Sequence, residues 1–334
     1  MEKVSAKSGV TAAPARSFGE RVKGLFRVTE FVLFLIIVLL FVLGWIKNPR
    51  VMGIENLKIL TRDSALLSIA AIGVGFTILT GGIDLSVGSI VGLAGVMSAY
   101  FMMNWGLPIW LSIIMTLGLG LAIGLYHGLF VTKLHMHGFL ITLVTMGLAR
   151  GAILVLTNAF PITGLARAFT NIGQGYVFNI FPIPVLIATA VAVVAFYLLR
   201  YPSIGRQIYA VGGNVEAARY SGVSVDARII LCYIVSVVCA SVVGMIQAAR
   251  LSLGHPGSGE GYELLAITAC ILGGISFMGG QGGVIGIVVG ALLIGTLQNL
   301  LVMVNVNPYW HRIVISGVLL IAITIDYARR RQRV

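Results

Sequence analysis

The chain has 334 residues, of which 58% are hydrophobic and 10% charged, with a mean hydropathy of +1.00. A soluble globular chain carries about 25% charge, so this composition leaves too little polar surface for a soluble fold and points to the lipid bilayer. The net charge of +12 sits mostly beside apolar runs, which makes the anionic inner leaflet its neighbour and argues against nucleic acid as a partner.

In chain order, apolar runs long enough to cross about 30 Å of hydrocarbon as helices lie near residues 30–46, 64–80, 86–103, 109–131, 138–157, 184–200, 227–249, 262–278, 284–303 and 308–327. The expected fold class is an all-α polytopic membrane protein of about ten transmembrane helices with a cytoplasmic coupling helix. Its membrane domain covers 30–327, between a basic N-terminal tail, 1–29, and a basic C-terminal tail, 328–334. Lys3, Lys7, Arg16, Arg21, Lys23 and Arg27 precede the first run, and Trp45-Ile-Lys-Asn-Pro49 follows it where a small-residue cleavage site would stand, so this run reads as an uncleaved signal anchor. With Arg329, Arg330, Arg331 and Arg333 after the last run, the basic residues predict two cytoplasmic termini and an even number of spans. Lys47, Arg50, Lys58 and Arg62 run against that pattern, since they fall in the first external loop.

The turn after the second run reads Thr80-Gly-Gly-Ile-Asp-Leu-Ser-Val-Gly-Ser89. Asp84 suits an N-cap for a helix beginning near Leu85, and it also suits the cytoplasmic mouth of a pathway; Ser86 belongs to the same turn. An echo, Cys270-Ile-Leu-Gly-Gly-Ile-Ser-Phe-Met278, again ends one apolar run and precedes another rich in Gly and Val, as in a duplicated helix pair. Transporters place Gly-interrupted backbone of this kind at the substrate path or gate, which nominates Gly81, Gly82, Gly279 and Gly280; close helix packing is the other reason for glycine there. Arg150 comes about 12 residues into the fifth run, roughly 18 Å along a helix, where a guanidinium costs about 2.5 to 3.5 kcal/mol on insertion scales. It is expected to face the bundle interior, held by carbonyls, hydroxyls or water, as a clamp between helices or as a pathway residue.

Between the sixth and seventh runs lies Gly205-Arg-Gln-Ile-Tyr-Ala-Val-Gly-Gly-Asn-Val-Glu-Ala-Ala-Arg-Tyr-Ser-Gly222. Asn214 can cap a helix, Glu216 then sits in its first turn, and Gly222 can end it in the left-handed conformation, giving roughly seven helical residues. A helix so short is unstable alone, so Gly205, Asn214, Glu216, Ala217, Ala218, Arg219 and Gly222 are expected to press against a partner. Arg200, Arg206, Arg219 and Arg228 put this loop in the cytoplasm, as Lys133 does the turn after the fourth run.

Cys232, Cys239 and Cys270 all fall inside apolar runs, so disulfides and structural zinc are not expected. His135 and His137 offer two ligands with no third nearby, which is too few for a metal site. His255-Pro-Gly-Ser-Gly259 reads as a flexible external loop, and its Ser lacks a base held by a rigid scaffold. No catalytic residue, metal or cofactor site is expected. The chain also contains no Gly-x-x-x-x-Gly-Lys-[Ser/Thr] phosphate loop, so ATP hydrolysis would need another subunit.

Thr80–Ser89, Ala149-Arg150-Gly151, Gly261-Tyr-Glu-Leu264 and Leu272-Gly-Gly-Ile-Ser-Phe-Met-Gly-Gly-Gln-Gly-Gly283, in this order and with the polar loop, span about residues 60 to 325. Over that stretch the chain resembles the permease subunits of bacterial ATP-driven sugar importers of the ribose, xylose and galactose type. The resemblance implies a multi-pass permease of an ATP-binding cassette importer in the bacterial inner membrane, passing a monosaccharide or related polyol delivered by a periplasmic binding protein. It implies a cytoplasmic ATPase subunit whose groove receives the loop helix, and a second permease chain, identical or similar. ATP is then used by the partner, and the chain is not an enzyme. The residues leave open an ion-coupled secondary transporter of a small polar solute, which needs intramembrane carboxylates; Asp84, Glu263 and Asp326 all lie near ends of runs. A membrane enzyme is disfavoured because no cluster of His, Ser and carboxylate emerges.

Overall fold

A computed structural model of the protein describes residues 29–201 and 203–331, with side chains from 30 to 324; nearly all of the expected tails, 1–29 and 328–334, lies outside the described residues. Thirteen helices follow one another among the described residues: α1 (Thr29–Lys47), α2 (Ile54–Leu79), α3 (Val87–Met103), α4 (Ile109–Lys133), α5 (Gly138–Thr157), α6 (Arg167–Gln174), α7 (Ile183–Arg200), α8 (Ser203–Gly213), α9 (Val215–Tyr220), α10 (Val225–Leu251), α11 (Tyr262–Leu272), α12 (Val284–Met303) and α13 (Pro308–Arg331). Each apolar run of the sequence coincides with one of them. Seven, namely α1, α2, α4, α5, α7, α10 and α12, are long and apolar enough to cross a membrane, whereas α3 and α11 are shorter, with 17 and 11 residues.

Helix ends differ from the apolar runs where polar groups find partners or glycines interrupt. α2 begins ten residues before its apolar run, because Lys58 pairs with Glu55 at 2.9 Å, Asp63 pairs with Arg250, and Asn56 exchanges two hydrogen bonds with Asn299 of α12. α11 stops at Leu272, where Gly273 and Gly274 turn the chain. Two-residue strands close the loops: β1 (Ile162–Thr163) pairs antiparallel with β4 (Leu253–Gly254), and β2 (Tyr176–Val177) with β3 (Phe181–Pro182).

The core is built around α2, which is buried from Ser64 to Leu79 and touched by α7, α10, α11 and α12. α10 packs on α3, α4 and α6 as well. Lipid tails are as apolar as leucine, so close backbone approach and hydrogen bonds hold such a bundle more than area removed from water. The α4 seam shows it: β-carbons at Gly124 and Gly128 would lie 2.6 Å from Cα of Ile234 and of Ile230 on α10. Large side chains point outward on α5 and α7, including Leu148, Val155 and Val194.

Candidate coupling and gate region

The polar loop folds as two helices. Gly205, Gly212 and Gly213 make 203–213 look like a turn in the sequence, yet these residues form α8, with Ile208 and Val211 buried. Gly205 is itself buried against the Leu198 and Leu199 carbonyls, at the elbow between α7 and α8, and is not part of an exposed surface. Asn214 then turns the chain in an extended conformation, and its Oδ1 accepts a hydrogen bond from the Ala217 backbone N–H at 2.9 Å. α9 has six residues, with Glu216 in its first turn and Arg219 in its last. Gly222 follows with φ +79°. Ala218 anchors α9 to Val211 and Val225, leaving Glu216, Ala217, Arg219 and Tyr220 exposed. Lys133 and Arg219 both face Asp226, at 2.8 and 3.8 Å, tying the neighbouring turn to this knob.

The far side of α8 meets the two glycine turns. The Gly280 backbone N–H donates to the Leu79 carbonyl at 3.0 Å. A β-carbon at Gly212 would overlap that same carbonyl, and one at Gly279 would lie 2.9 Å from Gly81 N and 3.1 Å from Gly212 O. Tyr209 of α8 donates its hydroxyl to the Gly282 carbonyl at 2.8 Å. Burial raises the Tyr209 pKa, against the lowering pull of Arg200, so the phenol stays a protonated donor at neutral pH. Three segments, 79–82, 209–213 and 279–282, thus interlock through their backbones. The sequence pairs the first and third as a repeat, but it contains no sign that Tyr209 and Gly212 join them. Of the nominated glycines, Gly81, Gly279 and Gly280 have φ of +81°, +88° and +72°, while Gly82 is limited by space instead: a β-carbon there would lie 2.7 Å from the Tyr233 hydroxyl.

Beyond Gly82 the chain runs irregularly to α3. Asp84 is fully buried, and its carboxylate accepts from Ser86 N at 2.9 Å, Ser86 Oγ at 2.6 Å and Ser236 Oγ of α10 at 2.7 Å. It therefore forms the turn before α3, whose first residue is Val87 rather than Leu85, and also ties that turn to α10. Tyr233, one turn from Ser236, and His127 of α4 lie beside it, with ring centroids 6.0 Å apart. His127 Nε2 pairs with Thr145 Oγ1 at 2.9 Å, while His127 Nδ1 and the Tyr233 hydroxyl have no hydrogen-bond partner among the described residues. Sequence reasoning missed all three of Ser236, Tyr233 and His127. Their signal was slight, a single imidazole in α4 and a Tyr three residues before a Ser in α10.

Arg150 of α5 is solvated by backbone. Its guanidinium donates to the carbonyls of Pro256 at 3.3 Å, Ser258 at 2.8 Å and Gly88 at 3.3 Å. The 255–259 segment is therefore no free loop: Pro256 and Gly259 are buried, and a β-carbon at Gly259 would overlap the Gly88 carbonyl. Glu263, in the first turn of α11, rests against Gly88 as well, so an acidic side chain does lie close to the Arg150 site. Asp84 and Arg150 are thus on opposite ends of the Ser86–Gly88 step and do not pair.

Against known families, residues 56–323 match the model described as branched-chain amino acid transport system, permease component. The chain is 39% identical to a ribose import permease protein of Haemophilus influenzae, over 91% of this chain and 94% of that one. It is 34% identical to a D-allose transport system permease protein of Escherichia coli, over 88% and 90%, and 32% identical to a xylose transport system permease protein of Haemophilus influenzae, over 83% and 90%. No solved structure matches.

Proposed function

The chain belongs to this family of transport-system permease components, and from that membership we propose that it is the membrane permease of an ATP-driven importer for a monosaccharide or related polyol. Relatives whose names specify ribose, allose and xylose over four fifths or more of the chain support a sugar cargo. They also favour this reading over an ion-coupled transporter, as does Asp84, whose carboxylate oxygens are already taken by three donors. The working assembly contains a cytoplasmic ATPase, a periplasmic sugar-binding protein and a second permease chain. In it the ten apolar segments all cross the membrane, the short α3 and α11 completed by the irregular backbone beside them, with both termini and the α8–α9 knob in the cytoplasm.

The observation that carries the mechanism is the interlock of α8 with both glycine turns. When the ATPases close, they push on the exposed face of α9. The knob is short and anchored by Ala218, so it moves with α8. α8 is bonded through Tyr209 to Gly282 and pressed through Gly212 on Leu79, so the same motion reaches the end of α2 and the turn before α12. These turns bound the irregular 80–86 segment and its Asp84 tie to α10. Displacing them opens or closes the pathway at its cytoplasmic end, and the Arg150 clamp holds the 255–259 segment against the start of α3 on the other side.

Reconstitution tests this function. Vesicles carrying the permease, its ATPase and internal ATP should accumulate ribose, xylose or allose only when the loaded binding protein is outside. Uptake by the permease alone, driven by a proton or sodium gradient, contradicts it.

A further inference from the structure

A crevice of about 500 Å³ runs between α2, α7 and α12, from Thr61 and Val185 to Val284 at the start of α12. Along α7 it is lined from Val185 to Phe196, which at 1.5 Å per residue makes it about 16 Å long. Three of its four hydroxyls are bonded within their own helices, Thr61 to the Leu57 carbonyl at 2.8 Å, Ser68 to that of Ser64 at 2.7 Å and Thr189 to that of Val185 at 2.8 Å, while the fourth, Ser64 Oγ, is buried against Gly295 of α12 with no partner among the described residues. With three of those groups turned into their own helices and the fourth against Gly295, the walls are hydrocarbon. A sugar or peptide would leave its polar groups unpaired there, whereas a long, thin alkyl chain would not.

Two cations stand beside one end of the crevice, next to its lining residues. Thr61 and Val185 mark that end, and there Arg62 follows Thr61 on α2 and reaches the segment that leads into α7. The Arg62 guanidinium carbon lies 5.1 Å from the Tyr176 ring centroid, and the Lys58 ammonium 5.2 Å from the same ring. Arg62 donates to the Gln174 carbonyl at a long 3.5 Å, its Nε is buried without a partner, and no carboxylate pairs with it among the described residues. Asp63 is engaged with Arg250, and Glu55 takes one N–H of the Lys58 ammonium, which keeps two further donors. An unpaired, part-buried guanidinium beside a hydrocarbon slot is matched in charge and geometry by a phosphate on an acyl chain. We propose that the crevice holds an acyl chain of an anionic phospholipid, with its phosphate on Arg62 and Lys58. Such a lipid accounts for two of the four cations, Lys58 and Arg62, that depart from the rule placing positive charge inside, since each neutralises headgroup charge at the expected external surface.

Native mass spectrometry on the intact transporter complex, after exchange into vesicles of phosphatidylglycerol or phosphatidylcholine, tests the site. The wild type should retain phosphatidylglycerol on each permease chain and release phosphatidylcholine. Arg62→Gln and Lys58→Gln, both at part-buried positions, should each lower retained phosphatidylglycerol about fivefold. Ala192→Phe, which fills the slot without touching the cations, should abolish retention while the complex still assembles. Equal retention of both lipids, or phosphatidylglycerol held undiminished by Ala192→Phe, overturns the proposal. So does efficient disulfide joining of two permease chains through Thr189→Cys, which would show that a second copy covers the crevice.

Discussion

Replacing Gly212 with Ala adds one methyl group at the point where α8 meets both glycine turns. The new β-carbon would overlap the Leu79 carbonyl oxygen and lie 2.5 Å from Gly280 N, so it wedges into the hydrogen bond between them. Overpacking a tight site costs about 1 to 3 kcal/mol, and losing that hydrogen bond adds about 1 kcal/mol. A total of about 2 to 4 kcal/mol lowers the interlocked arrangement roughly 30-fold or more. Gly213→Ala is the matched control, because no atom lies within 4 Å of its β-carbon; it should be neutral or slightly stabilising as an end-of-helix Gly to Ala change. The assay compares ATP hydrolysis stimulated by the sugar-loaded binding protein, and ATP-driven uptake, in complexes of normal composition. Gly212→Ala should keep basal hydrolysis and lose roughly 30-fold or more in stimulation and uptake, on that free-energy scale. Behaviour of Gly212→Ala indistinguishable from Gly213→Ala refutes the interlock as the transmission point.

Four further substitutions test the other parts. Gly82→Val drives a side chain into the Tyr233 hydroxyl, and Gly280→Val forces a branched residue to φ +72°, a strain of about 1 to 3 kcal/mol; if the turns gate the pathway, both complexes assemble and hydrolyse ATP while sugar uptake stops, whereas low yield and melting temperature mark a packing role, and wild-type behaviour excludes both. Arg150→Leu removes the insertion cost but leaves the Pro256, Ser258 and Gly88 carbonyls without their donor; uptake should drop with membrane integration intact, and normal transport by a well-expressed variant shows the charge to be dispensable. Glu216→Lys places positive charge in the first turn of the exposed α9; sugar-stimulated ATPase activity should fall, and unchanged stimulation in assembled complexes removes Glu216 from the contact.

Hydropathy located ten of the thirteen helices, those that coincide with apolar runs, and it misplaced their ends where other physics decides. The start of α2 is polar by sequence, yet Asn56, Lys58 and Asp63 each find a partner in the fold. The cap at Asn214 and the left-handed Gly222 were legible because they depend on residues a few positions apart. α8 was not, since glycines that read as loop are there to let Leu198, Leu199 and Leu79 carbonyls approach. Two of the three partners of Arg150, Pro256 and Ser258, lie more than 100 residues away in a segment that looks like a flexible loop, and only the fold brings them under α5. Likewise the cluster joins Asp84, in the turn before α3, to Ser236 and Tyr233 of α10 and His127 of α4, and the side chains from these two helices are unremarkable in their own runs.

The exposed face of α9 is the proposed ATPase contact, and Tyr220 is its most accessible large residue, at 91% exposure. A photo-crosslinking amino acid at position 220, illuminated in an active, fully assembled transporter, should join the permease to its ATPase. The same label in place of Tyr309, 85% exposed at the start of α13 and expected on the opposite side of the membrane, should give no such product. Absence of the ATPase adduct at 220 in complexes that still hydrolyse ATP and take up sugar, or equal yield at 309, contradicts the assignment.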